Sequence, residues 1–367
     1  MAHMAARTGY QKLVKRLNKY PQGAPPSELL YEILKLLMSE KEASLVALVP
    51  IKAFTAATAA RAWKTNLPEA EKALDDLAGR ALLIDVQGRK NRYYVLPPPM
   101  AGFFEFSMMR LRGDLDQKVL AELYYQYITV EEDFIKALFT RGETQLGRTF
   151  VNEPVLSNEN ALHVLDYERA SEVIKTASHR GIGLCYCRHK MGHAGHACDA
   201  PLDICMTFNT TAASLIRHGY ARAVDAAEGL ALLDEARGRN LVQFGENVRN
   251  RVSFICNCCG CCCGILRGIT HLKRPTAVAT SAYIVDFDQD ECADCDACLD
   301  RCQVKAIVRT DEGVRVDLDR CIGCGVCNLV CPTEALKMKK RPTPPVVPKN
   351  WRELQMTMLT EKAARQG

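Results

Sequence analysis

The chain has 367 residues, 48% of them hydrophobic, and a formal net charge of +5 from 48 basic and 43 acidic side chains. That length excludes a single small domain, and no apolar run is long enough for a membrane span. Its 18 cysteines follow a basic start with no apolar run behind it, so no secretory leader is expected and the protein is read as cytoplasmic, its thiols being metal ligands or redox groups rather than disulfides.

Leu30, Ile33, Leu34, Leu37 and Met38 recur at helical spacing after Pro25-Pro26-Ser27 and predict an amphipathic helix. A second helix is expected over about Thr55 to Trp63. A third runs from Pro68, a favoured first helical position, to Gly79. The runs ALLIDV and RYYVL then read as strands joined by the turn QGRKN. Three helices and a hairpin make a winged helix-turn-helix plan over residues 1–100. Arg89, Lys90 and Arg92 in the expected wing suit phosphate contacts, but the third helix carries Glu69, Glu71, Asp75 and Asp76 against Lys72 and Arg80, which disfavours DNA as a partner. Residues 101–180 form a helical linker region, helical to about Phe139, whose Phe103, Phe104, Phe106, Tyr124, Tyr125 and Tyr127 are expected in a core.

Residues 181–280 are cysteine-rich. They carry Cys185-x-Cys187 with Cys198 and Cys205, then Cys256-Asn-Cys258-Cys259-Gly-Cys261-Cys262-Cys263, six thiols in eight residues. The two groups flank a helical insert opened by Asp225-x-x-Glu228. Val-Ser-Phe-Ile before Cys256 reads as a buried strand, on which adjacent cysteines point to opposite faces, so one mononuclear site cannot use all six. Gly260 and Gly264 are expected to let backbone approach an inorganic core. The ten thiols suffice for two further iron-sulfur clusters; zinc and free reactive thiols are the alternatives. Cys258, Cys259 and Cys262 are candidate catalytic residues together with His189, His193 and His196, which lie beside Arg188 and Lys190 and are read as metal ligands, proton donors or a solvated loop.

The strongest signal is Cys292-x-x-Cys295-x-x-Cys298-x-x-x-Cys302, repeated 29 residues later as Cys321-x-x-Cys324-x-x-Cys327-x-x-x-Cys331-Pro332. A pair of structural zinc sites needs only two C-x-x-C pairs and leaves each fourth cysteine unexplained. The doubled run resembles the bacterial two-cluster ferredoxin family. That resemblance implies a 4Fe-4S cluster on Cys292, Cys295, Cys298 and Cys331 and another on Cys321, Cys324, Cys327 and Cys302. The first run departs from the pattern in having Gln303 where the second has Pro332, and in placing Asp294 and Asp296 beside its ligands, which lowers the expected potential of the first cluster. Residues 281–336 carry twelve acidic against five basic side chains, and 337–367 eight basic against two acidic. The basic tail is expected to fold back over the acidic module.

The order as a whole resembles multi-domain 4Fe-4S dicluster proteins of anaerobic bacteria. The expected fold is α+β and multi-domain, with a winged-helix domain (1–100), a helical linker (101–180), a central cysteine-rich iron-sulfur domain (181–280), a ferredoxin-like domain (281–340) and a Pro-rich basic linker with a helical tail (341–367). The expected function is electron transfer between the ferredoxin module and the central site, as an oxidoreductase or as a carrier serving a redox partner protein. A redox-sensing winged-helix regulator is the alternative. No C-x-x-C-H, G-x-G-x-x-G or Walker A motif occurs, so haem, nicotinamide and ATP are not expected cofactors of this chain.

Overall fold

Ser27 opens the first expected helix: its hydroxyl accepts from the Leu30 amide, and the helix Glu28–Leu37 buries Leu30, Ile33, Leu34 and Leu37 on one face. The helices Ala56–Trp63 and Leu67–Gly79 follow, the latter capped by Asn66 with Pro68 in its first turn. Two further helices lie in this stretch. Thr8–Leu17 buries Tyr10, Leu13, Val14 and Leu17, and Glu40–Leu48 is opened by a capping box between Ser39 and Glu42. Ile84–Gln87 and Arg92–Val95 pair antiparallel, and Phe54–Thr55 adds to the other side of Arg92–Val95.

These elements come from a computed structural model that describes residues 8–131, 133–140, 142–157, 161 and 164–365. The chain divides into two units, one of Met1–Arg141, Gly181–Ala197 and Thr210–Ala223, the other of Gly142–Arg180, Cys198–Asn209 and Val224–Gly367. The cysteine-rich stretch 181–280 contributes residues to both units. The protein is a mixture of helix and sheet, and none of its described helices is long and apolar enough to cross a membrane.

In the first unit, the run from Ala101 to Phe139 is not one helix. It breaks over 107–116, resumes at Gln117–Tyr125 with Asp116 as cap, and ends in Asp133–Thr140. Phe103, Phe104, Phe106, Tyr124 and Tyr127 are buried as expected, whereas Tyr125 lies only half-buried against His196, ring centroids 5.9 Å apart. Asp85 on the hairpin is a buried node: Arg92 Nε (2.8 Å), Arg217 (2.5 Å) and Ser214 Oγ (2.6 Å) donate to it. Burial pushes its carboxyl up, but the hydrogen bonds from Ser214 and Arg92 and the nearby guanidinium charges outweigh that and hold it at about 2. Arg92 also pairs with Asp75 at 2.7 Å, so this cation of the expected wing is already neutralised within the fold.

In the second unit, four strands lie in the order Gly147–Thr149, Val242–Glu246, Phe254–Cys258, Asp203–Phe208, all antiparallel. The ferredoxin module adds two ladders, Tyr283–Phe287 with Leu336–Lys340 and Ile307–Thr310 with Gly313–Val316. Tyr283, Val285, Ile307, Val314, Leu336 and Met338 form a core on which Cys292, Cys298, Cys302, Cys321, Cys327 and Cys331 pack. The basic tail meets the acidic module where it begins, Lys339 pairing with Asp286 at 2.6 Å and Arg341 donating to the Cys321 carbonyl at 2.7 Å, and further on it packs elsewhere in the unit. Arg249 and Asn250 amides donate to the Pro348 and Lys349 carbonyls, and in the helix Trp351–Ala364 the Glu361 carboxylate accepts from the Glu143 and Thr144 amides. Those backbone hydrogen bonds and the buried Val347 hold this later part of the tail in place.

Candidate metal centres

Two cavities in the ferredoxin module are lined by thiols. One presents Cys292, Cys295, Cys298 and Cys331 with Phe287 and Leu336; the other presents Cys302, Cys321, Cys324 and Cys327 with Val285 and Met338. Each cavity thus receives three cysteines of one run and the fourth of the other. The exchange follows from the chain path, since the fourth cysteine of each run closes a short turn, the helix Ala297–Arg301 or the turn Asn328–Val330, that leads away from its own loop. Four thiols around an apolar cavity suit a 4Fe-4S cluster, whose irons take thiolate ligands.

The repeat extends to the backbone. Asp294, Asp296 and Lys305 have left-handed φ of 50°, 60° and 54°, and 29 residues on Gly323, Gly325 and Glu334 have 71°, 77° and 56°. The loops differ in setting. Ala293, Asp294, Cys295, Asp296 and Ala297 are exposed, whereas Ile322, Gly323, Gly325 and Val326 are buried. The Asn152 amide donates to the Cys324 carbonyl, and a Cβ on Gly325 would press on Val155. A Cβ on Gly323 would overlap the Tyr283 carbonyl, so the buried loop requires glycine where the exposed loop accepts aspartate. Arg309 pairs with both Asp294 (2.8 Å) and Asp296, offsetting part of the charge beside the first cavity.

Backbone donors serve the thiols. The Ala306 amide donates to Cys302 Sγ at 3.1 Å. Burial raises the Cys331 thiol, yet backbone amides of Leu336, Thr333 and Ala335 and the Thr333 hydroxyl outweigh it and lower the thiol below its usual range. Burial pushes Cys324 up to about 12 and also raises Cys321 and Cys327.

The central cysteines fall into separate sets. Cys198, Cys259, Cys261 and Cys262 place all four sulfurs within 4.8 Å of one another. The alternation expected of the run stops at Cys258, where the strand ends; the turn at residues 260–262 swings Cys259, Cys261 and Cys262 to one side. Burial raises the Cys261 thiol to about 12, and hydrogen bonding with Cys259, then burial, raises that of Cys262. On the sheet, Met206 pairs with Ile255, and continuing that register sets Cys205 opposite Cys256, on the same face as Cys258. Cys263 is buried at the start of the helix Gly264–Thr270, and Cys185 and Cys187 belong to the first unit. Gly260 meets protein rather than an inorganic core: its amide donates to Gln303 Oε1 at 2.6 Å, and a Cβ there would overlap the Gln303 carbonyl. This contact gives Gln303, the departure from the repeat, a structural role.

His189 and His193 lie on the helix Tyr186–His193 rather than in a loop. His189 is buried, its Nδ1–H donating to the Met108 carbonyl (2.7 Å) and its Nε2 3.2 Å from His193 Nε2. Burial, then His189, lowers the His193 imidazole. Among the described residues these histidines join no group of three or more tightly gathered metal-ligating side chains. Neither Gln303 nor Arg309 was singled out from sequence for the partner it meets; an unexpected residue at a repeat position was the available signal for the first.

A family profile described as a 4Fe-4S binding domain matches residues 314–337. The chain is 42% identical over 54 residues, 15% of its length and 63% of the relative's, to pyruvate synthase subunit PorD of Methanothermobacter marburgensis. It is 30% identical over 89 residues, 24% of this chain and 53% of the relative, to an uncharacterized ferredoxin of Methanocaldococcus jannaschii. A third relative, the archaeal-type NADPH glutamate synthase of Dehalococcoides mccartyi, is 33% identical over 64 residues, 17% of this chain and 13% of that protein. The chain spans less than two thirds of the length of each. No solved structure matches. The C-terminal part is thus a 4Fe-4S ferredoxin domain whose relatives are iron-sulfur proteins, which assigns it to iron-sulfur electron transfer.

Proposed function

We propose that the chain is a multi-domain electron-transfer protein of the dicluster ferredoxin type, holding one 4Fe-4S cluster on Cys292, Cys295, Cys298 and Cys331 and another on Cys321, Cys324, Cys327 and Cys302. The observation that carries this reading is the pair of cavities, each lined by three thiols of one run and the fourth of the other. A bound cluster supplies reversible one-electron chemistry. The chain's own groups hold it in place and set its surroundings: amides donate to Cys302 and Cys331, Val285 and Met338 exclude water from the inner cavity, and Arg341 fixes the inner loop through the Cys321 carbonyl at 2.7 Å. Electrons pass between this module, a redox partner protein and the central thiols, of which Cys205, Cys256 and Cys258 on one sheet face suit a further metal-thiolate centre.

The arrangement in five segments, with a winged helix at the start, belongs to the same proposal. It is supported by the order of helices and by the pairing of Arg92–Val95 with both Phe54–Thr55 and Ile84–Gln87. Arg92 is engaged by Asp75 and Asp85, which favours a scaffold over a DNA reader for this segment. Eighteen thiols kept reduced suit a cytoplasmic setting.

The test is iron and acid-labile sulfide per chain on protein purified without oxygen. About eight irons in the module are expected, with Cys324→Ser disturbing one cluster and Cys295→Ser the other, each seen as loss of part of the reduced-cluster signal in electron paramagnetic resonance. Identical spectra for the two variants and the parent chain would sink the assignment.

A further inference from the structure

The four thiols of Cys198, Cys259, Cys261 and Cys262 are spaced too closely for the cofactor that their neighbours suit. Cys198 Sγ lies 3.6 Å from Cys259 Sγ and 3.9 Å from Cys262 Sγ, and Cys261 and Cys262 sulfurs are 3.6 Å apart. Four sulfurs about 2.3 Å from a single tetrahedral ion stand about 3.8 Å from one another. The thiolates of a cubane lie at the outer corners of four irons, which sets them about 6 Å apart. The contrast is internal as well. Among the described residues the eight thiols of the ferredoxin module form no group within 4.8 Å, whereas these four do.

We propose that Cys198, Cys259, Cys261 and Cys262 form a closed mononuclear tetrathiolate site that holds one divalent zinc ion. Four thiols fill every position of a tetrahedron and leave none for substrate, which is the composition of a structural rather than a catalytic zinc site. Three of the four are buried or half-buried and Cys261 faces solvent, giving the ion a route in. Soft thiolates in tetrahedral array select zinc or iron over hard cations.

The site has a definite mechanical task. It ties Cys198 to a turn 61 residues further on, and that turn is the one whose Gly260 amide grips Gln303, next to Cys302. Metal binding here therefore holds the turn that meets Gln303, one residue beyond Cys302, without entering the lining of either ferredoxin cavity. This reading does not depend on the two-cluster assignment, and it takes Cys259 and Cys262 out of the candidates for catalysis.

The experiment is metal analysis of the full chain purified without oxygen, beside Cys198→Ser/Cys262→Ser and Cys324→Ser. About one zinc per chain is expected in the parent and in Cys324→Ser, with loss of zinc and no loss of cluster iron in the double variant. X-ray absorption at the zinc edge of the parent, which requires no variant to fold, should show four sulfurs at about 2.3 Å. Absence of zinc from the parent, a zinc shell containing nitrogen or oxygen, or loss of about four irons from the double variant, as a cubane at these thiols would give, overturns the proposal. A failed two-cluster reading would instead appear as low iron with zinc intact.

Discussion

The two cluster loops are a controlled comparison at the scale of single residues. Their backbones repeat, so the difference between Asp294 and Gly323 is a difference of surroundings. The left-handed conformation costs a residue with a Cβ about 1–2 kcal/mol in either loop. Only at Gly323 does the Cβ also meet fixed backbone, the Tyr283 carbonyl, with Ser281 Oγ beside it. Gly323→Ala is therefore expected to lower the melting temperature and the iron retained per chain, whereas Asp294→Gly leaves both near the parent values or slightly higher. Equal losses in the two variants would mean that loop conformation, not packing, decides the residue. Arg309 shows charge handled at the same scale: one guanidinium answers two carboxylates, so the lowering of potential expected from Asp294 and Asp296 is reduced though not cancelled.

Among elements, the strand Val242–Glu246 buries Glu246, whose carboxylate accepts from the Ser253 amide at 3.0 Å. Burial raises its carboxyl from 4.5 to about 7, against the lowering effect of Ser253. The folded state then binds the proton more tightly than the unfolded state. Stability from this group is complete below the unfolded value, near 4.5, and is lost as pH rises through about 7. The span corresponds to a loss on the order of 3 kcal/mol. Melting curves at pH 5 and pH 8 should show the parent losing stability more than Glu246→Gln does; parallel losses would show that Glu246 is not the titrating group. Elements also show where sequence reading stops. The ferredoxin repeat was legible because each ligand lies three or four residues from the last, so spacing encodes geometry. The helix Glu28–Leu37 was legible from its periodicity and its serine cap. The set around Cys198 was not, because its members lie 61 residues apart and the strand rule applied to Cys258–Cys259 fails where the chain turns. The helix Thr8–Leu17 has an apolar face as well, but Lys12, Lys15 and Arg16 interrupt the apolar residues, so its period is hard to see in the sequence.

At the scale of the whole molecule, eighteen thiols are divided among distinct environments rather than pooled. Eight line two apolar cavities, four gather within 4.8 Å of one another, three share a sheet face, and Cys185, Cys187 and Cys263 fall outside these sets. Composition indicated a metal protein, while the partition needed the chain path, because a thiol's use is set by how far apart its neighbours hold it. The two cavities also stand at different depths, one ringed by exposed residues from Ala293 to Ala297, the other covered by Asn152 and Val155. That difference sets an order of attrition. With a cluster in each cavity, as proposed, dissolved oxygen is expected to reach the Cys295 edge directly and to need the covering segment opened to reach Cys324, so damage would proceed from the outside inward. In air, iron captured by a chelator should appear in two phases of comparable size, the slower one accelerated when Val155→Gly loosens the cover. A single phase would mean that both clusters fail together. An organism that meets oxygen briefly would then hold a half-spent protein, with the inner centre intact and the outer one awaiting rebuilding.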